Sequence, residues 1–124
     1  MVAQDLDAAI QESHDAVAGI FRGDAAPAKM LFSDRDDITL GNPFGPYARG
    51  RNQVEETLDR AASNYSDGKL TGAELIAIYV TAELACVVEV ERGRAKVGGG
   101  AEYLPLALRV TSLFRLESGA TPPR

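Results

Sequence analysis

His14 is the one histidine of this 124-residue chain, and an imidazole that titrates near neutrality is well suited to passing a proton at ordinary pH. It stands four residues after Ile10 and three before Val17, at the margin of an apolar stripe with helical spacing. It therefore reads either as an acid or base facing a pocket, or as a half-buried helix residue whose ring nitrogens are satisfied locally. A single histidine does not make a histidine-rich centre and no HExxH spacing occurs, so no metal is expected.

The other groups that can meet a ligand are Asn42, Tyr47, Tyr65, Tyr79 and Ser112. Alternation puts Asn42 on the face of Ile38 and Leu40, and Ser112 on the face of Val110 and Phe114, where each can hydrogen-bond a carbonyl or hydroxyl. The tyrosines serve equally well as core packing with the hydroxyl turned to solvent. Asp34, Asp36 and Asp37 lack the glycine hinge and distal glutamate of a calcium loop and read as a solvated turn. Glu89 and Glu91 share one strand face, as do Arg109, Thr111 and Arg115. A carboxylate pair in a cleft can do acid and base work, but the alternating Val88 and Val90 are expected to face the core, which puts the glutamates outside in cross-strand ion pairs.

Cys86 lies between Ala85 and Val87 with no basic neighbour to lower its pKa, and reads as inert packing. Gly98, Gly99 and Gly100 have neither the GxGxxG order of a dinucleotide turn nor the lysine of a phosphate loop. They read as a flexible hairpin connection beside Tyr103, and no cofactor is expected.

Eighteen acidic residues against thirteen basic ones give a net charge of −5, which disfavours nucleic acid and anionic membrane as partners. A 45% apolar composition at this length fits one soluble domain spanning residues 1–124. One cysteine excludes an internal disulfide, MVAQDLDAA lacks the basic and apolar regions of a secretory signal, and no apolar run suits a bilayer, so the expected location is cytoplasmic.

These residues need elements to place them. Leu6, Ile10, Val17, Ile20 and Phe21 predict an amphipathic helix over 5–22, with Asp5 or Asp7 as its cap and Gly23 at its end. A short second helix is expected over 25–32, and a short strand over 36–42 that stops at Pro43. Residues 43–50 read as a loop. A third helix over 52–65 opens on Asn52 and Glu55, which resemble a capping box. The period then changes to that of strands over 70–81, 84–92 and 104–117. Helices first and strands last predict an α+β fold, its helices on one face of an antiparallel or mixed sheet.

In that order, several segments together resemble the nuclear transport factor 2-like superfamily, in its SnoaL-like, ketosteroid isomerase-like branch. They are Gly23-Asp24, LFSDRDDITL from Leu31 to Leu40, NPFG from Asn42 to Gly45, Arg49-Gly50, and LRVTSLFRLESG from Leu108 to Gly119. The resemblance covers nearly the whole chain and implies a cystatin-like cone, a strongly curved sheet wrapped around a long helix. It also implies an apolar pocket inside and a homodimer through the outer sheet face. Steroid isomerases of this group use an aspartate base, a tyrosine and a protonated aspartic acid. The matching positions here are Asn42, Ala16 and Ser112, so that mechanism is not expected. Relatives usually return a last strand across the sheet, whereas Pro122 and Pro123 cannot extend a ladder, so the expectation is either a sheet without that edge strand or a sequence cut short of it.

The resulting functional expectation is binding of a small, largely apolar organic molecule, with Asn42, Tyr47, Tyr65, Tyr79 and Ser112 supplying polar contacts. A second is an isomerase, dehydratase or cyclase that uses His14 on a polyketide- or steroid-like substrate. A third is a structural or regulatory homodimer whose hollow is filled by its own side chains.

Overall fold

A computed structural model describes residues 1–41 and 45–117 of the chain. The expectations attached to Asn42, Pro43, Pro122 and Pro123 lie outside these residues. Helix α1 runs Ala3–Phe21, α2 Ala26–Leu31 and α3 Arg51–Ser63. Strands β1 (Thr39–Leu40) and β2 (Ala48–Arg49) form a small antiparallel pair. Strands β3 (Tyr65–Val80), β4 (Leu84–Val97) and β5 (Tyr103–Arg115) form an antiparallel sheet in the order β3-β4-β5. The α+β arrangement is as the sequence predicts, with the helices gathered on one side of the long sheet.

The ends of the elements differ from their sequence signals in instructive ways. Helix α1 starts at Ala3 with Val2 at its N-cap and no side-chain cap, which leaves Asp5 inside the first turn, where a negative charge suits the helix dipole. Gly23 does end the helix, with φ of +87° and its N–H bonded to the Ile20 carbonyl. At α3 the capping box does not form. Gly50 is the N-cap at φ of +83°, and the Gln53 side chain accepts from the Arg49 N–H while Asp36 accepts from the Arg51 N–H. The stretch read as a loop contains β2, which pairs Thr39 with Arg49 and Leu40 with Ala48.

Strand β3 begins five residues earlier than predicted, at Tyr65, directly after α3. Gly68 and a positive φ at Asp67 break the apolar alternation there, so the pattern does not read as a strand until Leu70. Register shifts between Ser66 and Lys69, Leu70 and Gly72, and Leu75 and Ala77 each put an extra residue on β3. Such bulges bend a strand and increase its twist, which curls the sheet toward α1.

Two apolar clusters hold the helices to one another and to the sheet. One gathers Ala16, Ala25, Ala28, Ala48, Val54, Leu58 and Ala62 among the three helices and β2. The other packs Leu6 of α1 against Ala85 and Val87 of β4, with Ile10 and Phe114 at its margin. At the far end of α1, Phe21 is fully buried and meets the edge of the Tyr65 ring at a centroid distance of 5.5 Å. Along β4 the buried row is Ala85, Val87, Glu89, Glu91, Gly93 and Ala95. Helix α1 lies along this row, and between its apolar ends the row carries two carboxylates.

Candidate active site

Leu6, Ile10 and His14 are spaced four residues apart, so the stripe that buries Leu6 against β4 brings His14 to the same strand about two turns further on. There His14 Nε2 lies 2.8 Å from Glu89 Oε2. With its proton on Nε2 the imidazole donates to that carboxylate, and Nδ1 keeps the lone pair. The His14 side chain is one-fifth exposed, so it meets the solvent on one side and the carboxylates on the other.

Glu89 and Glu91 correct the sequence reading. Both face inward and are buried, at 4% and 1% exposure. In the sheet Glu89 lies between Leu75 and Val110, and Glu91 between Ala73 and Leu108, so neither pairs with Arg109 or Arg115. Arg109 is paired with Val90 on the outer side, and Arg115 bonds Asp37 and Glu117. The valines misled because β4 is the central strand of three: its outer residues Cys86, Val88 and Val90 are half-buried too, so apolar character does not identify the inner face. The informative signal is the phase of the small residues. Ala85, Gly93 and Ala95 alternate in step with the glutamates, and small residues mark the face on which a helix lies closest.

Glu91 Oε1 has no hydrogen-bond partner among the described residues. Burial pushes the Glu91 carboxyl up to about 7, helped by the neighbouring charge of Glu89 and opposed by His14. His14, Glu89 and Glu91 each offer a ligand-type atom, all within 4.8 Å of one another. An imidazole bonded to one buried carboxylate, with a second carboxylate beside it, can store and transfer protons or hold a cation.

Beside this group lies a cleft of about 340 Å³ between α1 and β3. Its walls are Gln11, His14, Asp15 and Ala18 on the helix and Leu70 to Ala73 on the strand. It opens at the Leu70–Gly72 bulge, where the extra residue moves β3 out of register with β4. His14 is thus the side chain shared by the cleft and the buried carboxylates.

The other predicted site residues are not gathered here. Tyr47 is 77% exposed, and Tyr79 is 65% exposed on the outer face opposite Cys86. Tyr65 is half-buried against Phe21, near the C-terminal end of α1. Ser112 faces inward opposite Val87, one row from Glu89 and Val110. Cys86 is a half-buried free thiol on the outer face. Asp36 and Asp37 serve as a backbone cap for α3 and as the partner of Arg115.

No protein-family model matches the sequence, nor does any curated protein. Solved structures do resemble it in fold. A ketosteroid isomerase-like protein from Erwinia carotovora atroseptica SCRI1043 superposes with a TM-score of 0.73 at 18% identity, covering 95% of this chain and 88% of that one. A nuclear transport factor 2-like superfamily protein from Salmonella enterica serovar Typhimurium LT2 gives 0.71 at 18% identity, over 90% and 78% of the two chains. A candidate dehydratase of the same family from Streptomyces avermitilis gives 0.68 at 20% identity, over 90% and 83%.

Proposed function

The chain has the nuclear transport factor 2-like fold, and from that premise we propose that it is an acid–base enzyme of the isomerase, dehydratase or cyclase type. Its substrate in this reading is a small, largely apolar molecule whose reacting carbon acid or hydroxyl reaches His14 through the cleft. The observation that carries the proposal is the placement of His14, with one side lining the cleft and Nε2 at 2.8 Å from a buried carboxylate.

The division of labour follows from the hydrogen bond. Glu89 accepts from Nε2–H, which holds the ring in one orientation and leaves Nδ1 as the nitrogen that can take a proton. Glu91 adds a second buried carboxyl beside the first. The catalytic group is not at the strand end where steroid isomerases carry their aspartate. In this reading it stands on the opening helix, at the cleft between α1 and β3. A candidate dehydratase and an isomerase-like protein among the similar structures make this class of chemistry the natural one to assay.

The test is proton exchange rather than turnover of one guessed substrate. A panel of enolisable ketones and β-hydroxy ketones is incubated with the protein in D₂O, and deuterium at the α-carbon is followed by NMR. Exchange by the wild type that disappears in His14→Ala supports the proposal. Exchange that is absent, or equal in His14→Ala, refutes it.

We also propose that two copies associate through the outer sheet face. Leu113 there is 69% exposed and stands across Cys86 from the exposed Tyr79, with Val88 in the next outward row. An apolar patch on a sheet face is a common place for a protein contact. Among the described residues no helix is long and apolar enough to cross a membrane.

A further inference from the structure

We propose that His14, Glu89 and Glu91 form a binding site for a divalent cation of the Zn²⁺ or Mn²⁺ class. The proposal goes beyond the acid–base reading, because it gives the same three side chains a ligand rather than only a proton to carry.

Two independent observations support it. First, the three potential ligand atoms lie within 4.8 Å of one another and come from two elements, with Glu89 and Glu91 two residues apart on β4 and His14 above them on α1. A cation at about 2.1 Å from each of four tetrahedral ligands spaces neighbouring ligand atoms by about 3.4 Å, so the His14–Glu89 pair at 2.8 Å would open a little while the wider separations, at most 4.8 Å, would close. Second, Glu91 is 1% exposed and its Oε1 is left without a partner among the described residues. A buried carboxylate oxygen with nothing to bond is costly, and a cation is a partner that removes the cost.

Charge and surroundings point the same way. Among the described residues, neither carboxylate is bonded to a lysine or an arginine, and the flanking positions in the sheet are Ala73, Leu75, Leu108 and Val110. Two buried carboxylates in an apolar row are balanced by one doubly charged ion, and among the described residues no lysine or arginine is placed to do this. One imidazole nitrogen and two carboxylates suit zinc or manganese better than copper, which favours more nitrogen or sulfur. His14 also lines the cleft, so a water or substrate oxygen can approach from that side to complete the coordination. With the ion bound, Nε2 is a ligand, and an ion-bound water would take over as the group that meets the substrate.

The test uses the full chain stripped with a chelator, then loaded with Zn²⁺ or Mn²⁺ and desalted. We expect one ion per chain by elemental analysis, an affinity at least tenfold weaker in Glu91→Gln and His14→Ala, and no change in Asp37→Asn. Because a buried substitution can unfold the protein, a second readout uses the wild type alone. His14 is the only histidine, so its ring resonances are unambiguous, and they should shift when one equivalent of Zn²⁺ is added. Unshifted ring resonances, or loading that persists in His14→Ala, overturn the inference. Proton exchange by the stripped protein that shows no ion binding leaves the acid–base reading standing and removes this one. Ion binding without exchange does the reverse.

Discussion

The Phe21 ring occupies the space that a side chain at residue 93 would need: a Cβ on Gly93 would lie 2.7 Å from the ring and 2.5 Å from the Lys69 carbonyl oxygen. This contact sets how closely the end of α1 approaches β4, and so the height at which His14 meets Glu89 two turns earlier. Gly93→Ala therefore pushes helix and strand apart. We expect a stability loss of about 1–3 kcal/mol in urea unfolding, typical of an overfilled core. If the variant unfolds like the wild type, the helix is not held at this point.

Glu91 makes stability depend on pH with a definite sign. Its carboxyl has a pKa of about 7 in the folded chain against an ordinary 4.5, so the folded state holds this proton more tightly than the unfolded one. Below pH 4.5 both states are protonated and nothing is lost. As pH rises from 4.5 to 7 the unfolded chain ionises first, and above 7 the whole difference, about 3 kcal/mol, counts against the fold. In cation-free buffer Glu91→Gln should therefore be more stable than wild type at pH 8, with the gain shrinking toward pH 5. Parallel urea titrations at those pH values decide it, and a gain independent of pH would show that the carboxyl is not the cause.

Much of this protein was legible before its structure. The 3.6-residue period placed α1, Gly23 closed it, and the change of period at residue 70 marked the long strands. The site was half legible. His14 could be put on the stripe but not opposite anything, because its partner is 75 residues away and depends on how β4 lies under the helix. The glutamates were assigned to the wrong face because both sides of a central strand are partly covered, and valine is at home on either. Backbone pairing settled the question, and Gly93 and Ala95 were the sequence trace of it.

Arg115 ties the end of β5 to the turn before β1. Its guanidinium donates to both Asp37 oxygens, at 2.8 and 2.9 Å, and to Glu117, which also accepts from the Ser33 hydroxyl. The Arg115 bond holds the Asp37 carboxyl below its ordinary value, and the Ser33 bond does so for Glu117. For groups lowered in this way the stabilisation is present above the ordinary carboxylate pKa and is lost as pH falls through the folded value. Arg115→Gln should lower the melting temperature slightly at neutral pH, and the difference should vanish in molar salt and in acid. A difference that survives both conditions would mean that the arginine acts through packing.

The outer sheet face gives the last expectation. Across β4, Leu113 and Tyr79 flank Cys86, and the row beyond holds Ala77, Val88 and Thr111. Leu113 projects from this face at 69% exposure, so an arginine there disturbs nothing inside the fold. It would, however, put a charge in the centre of any apolar contact between two copies, where each charge would meet its symmetry mate or lose its water. Leu113→Arg should melt as the wild type does at high dilution, while light scattering coupled to size exclusion reports a shift from dimer to monomer. A wild type that is already monomeric at tens of micromolar, or a variant that stays dimeric, would move the contact away from this face.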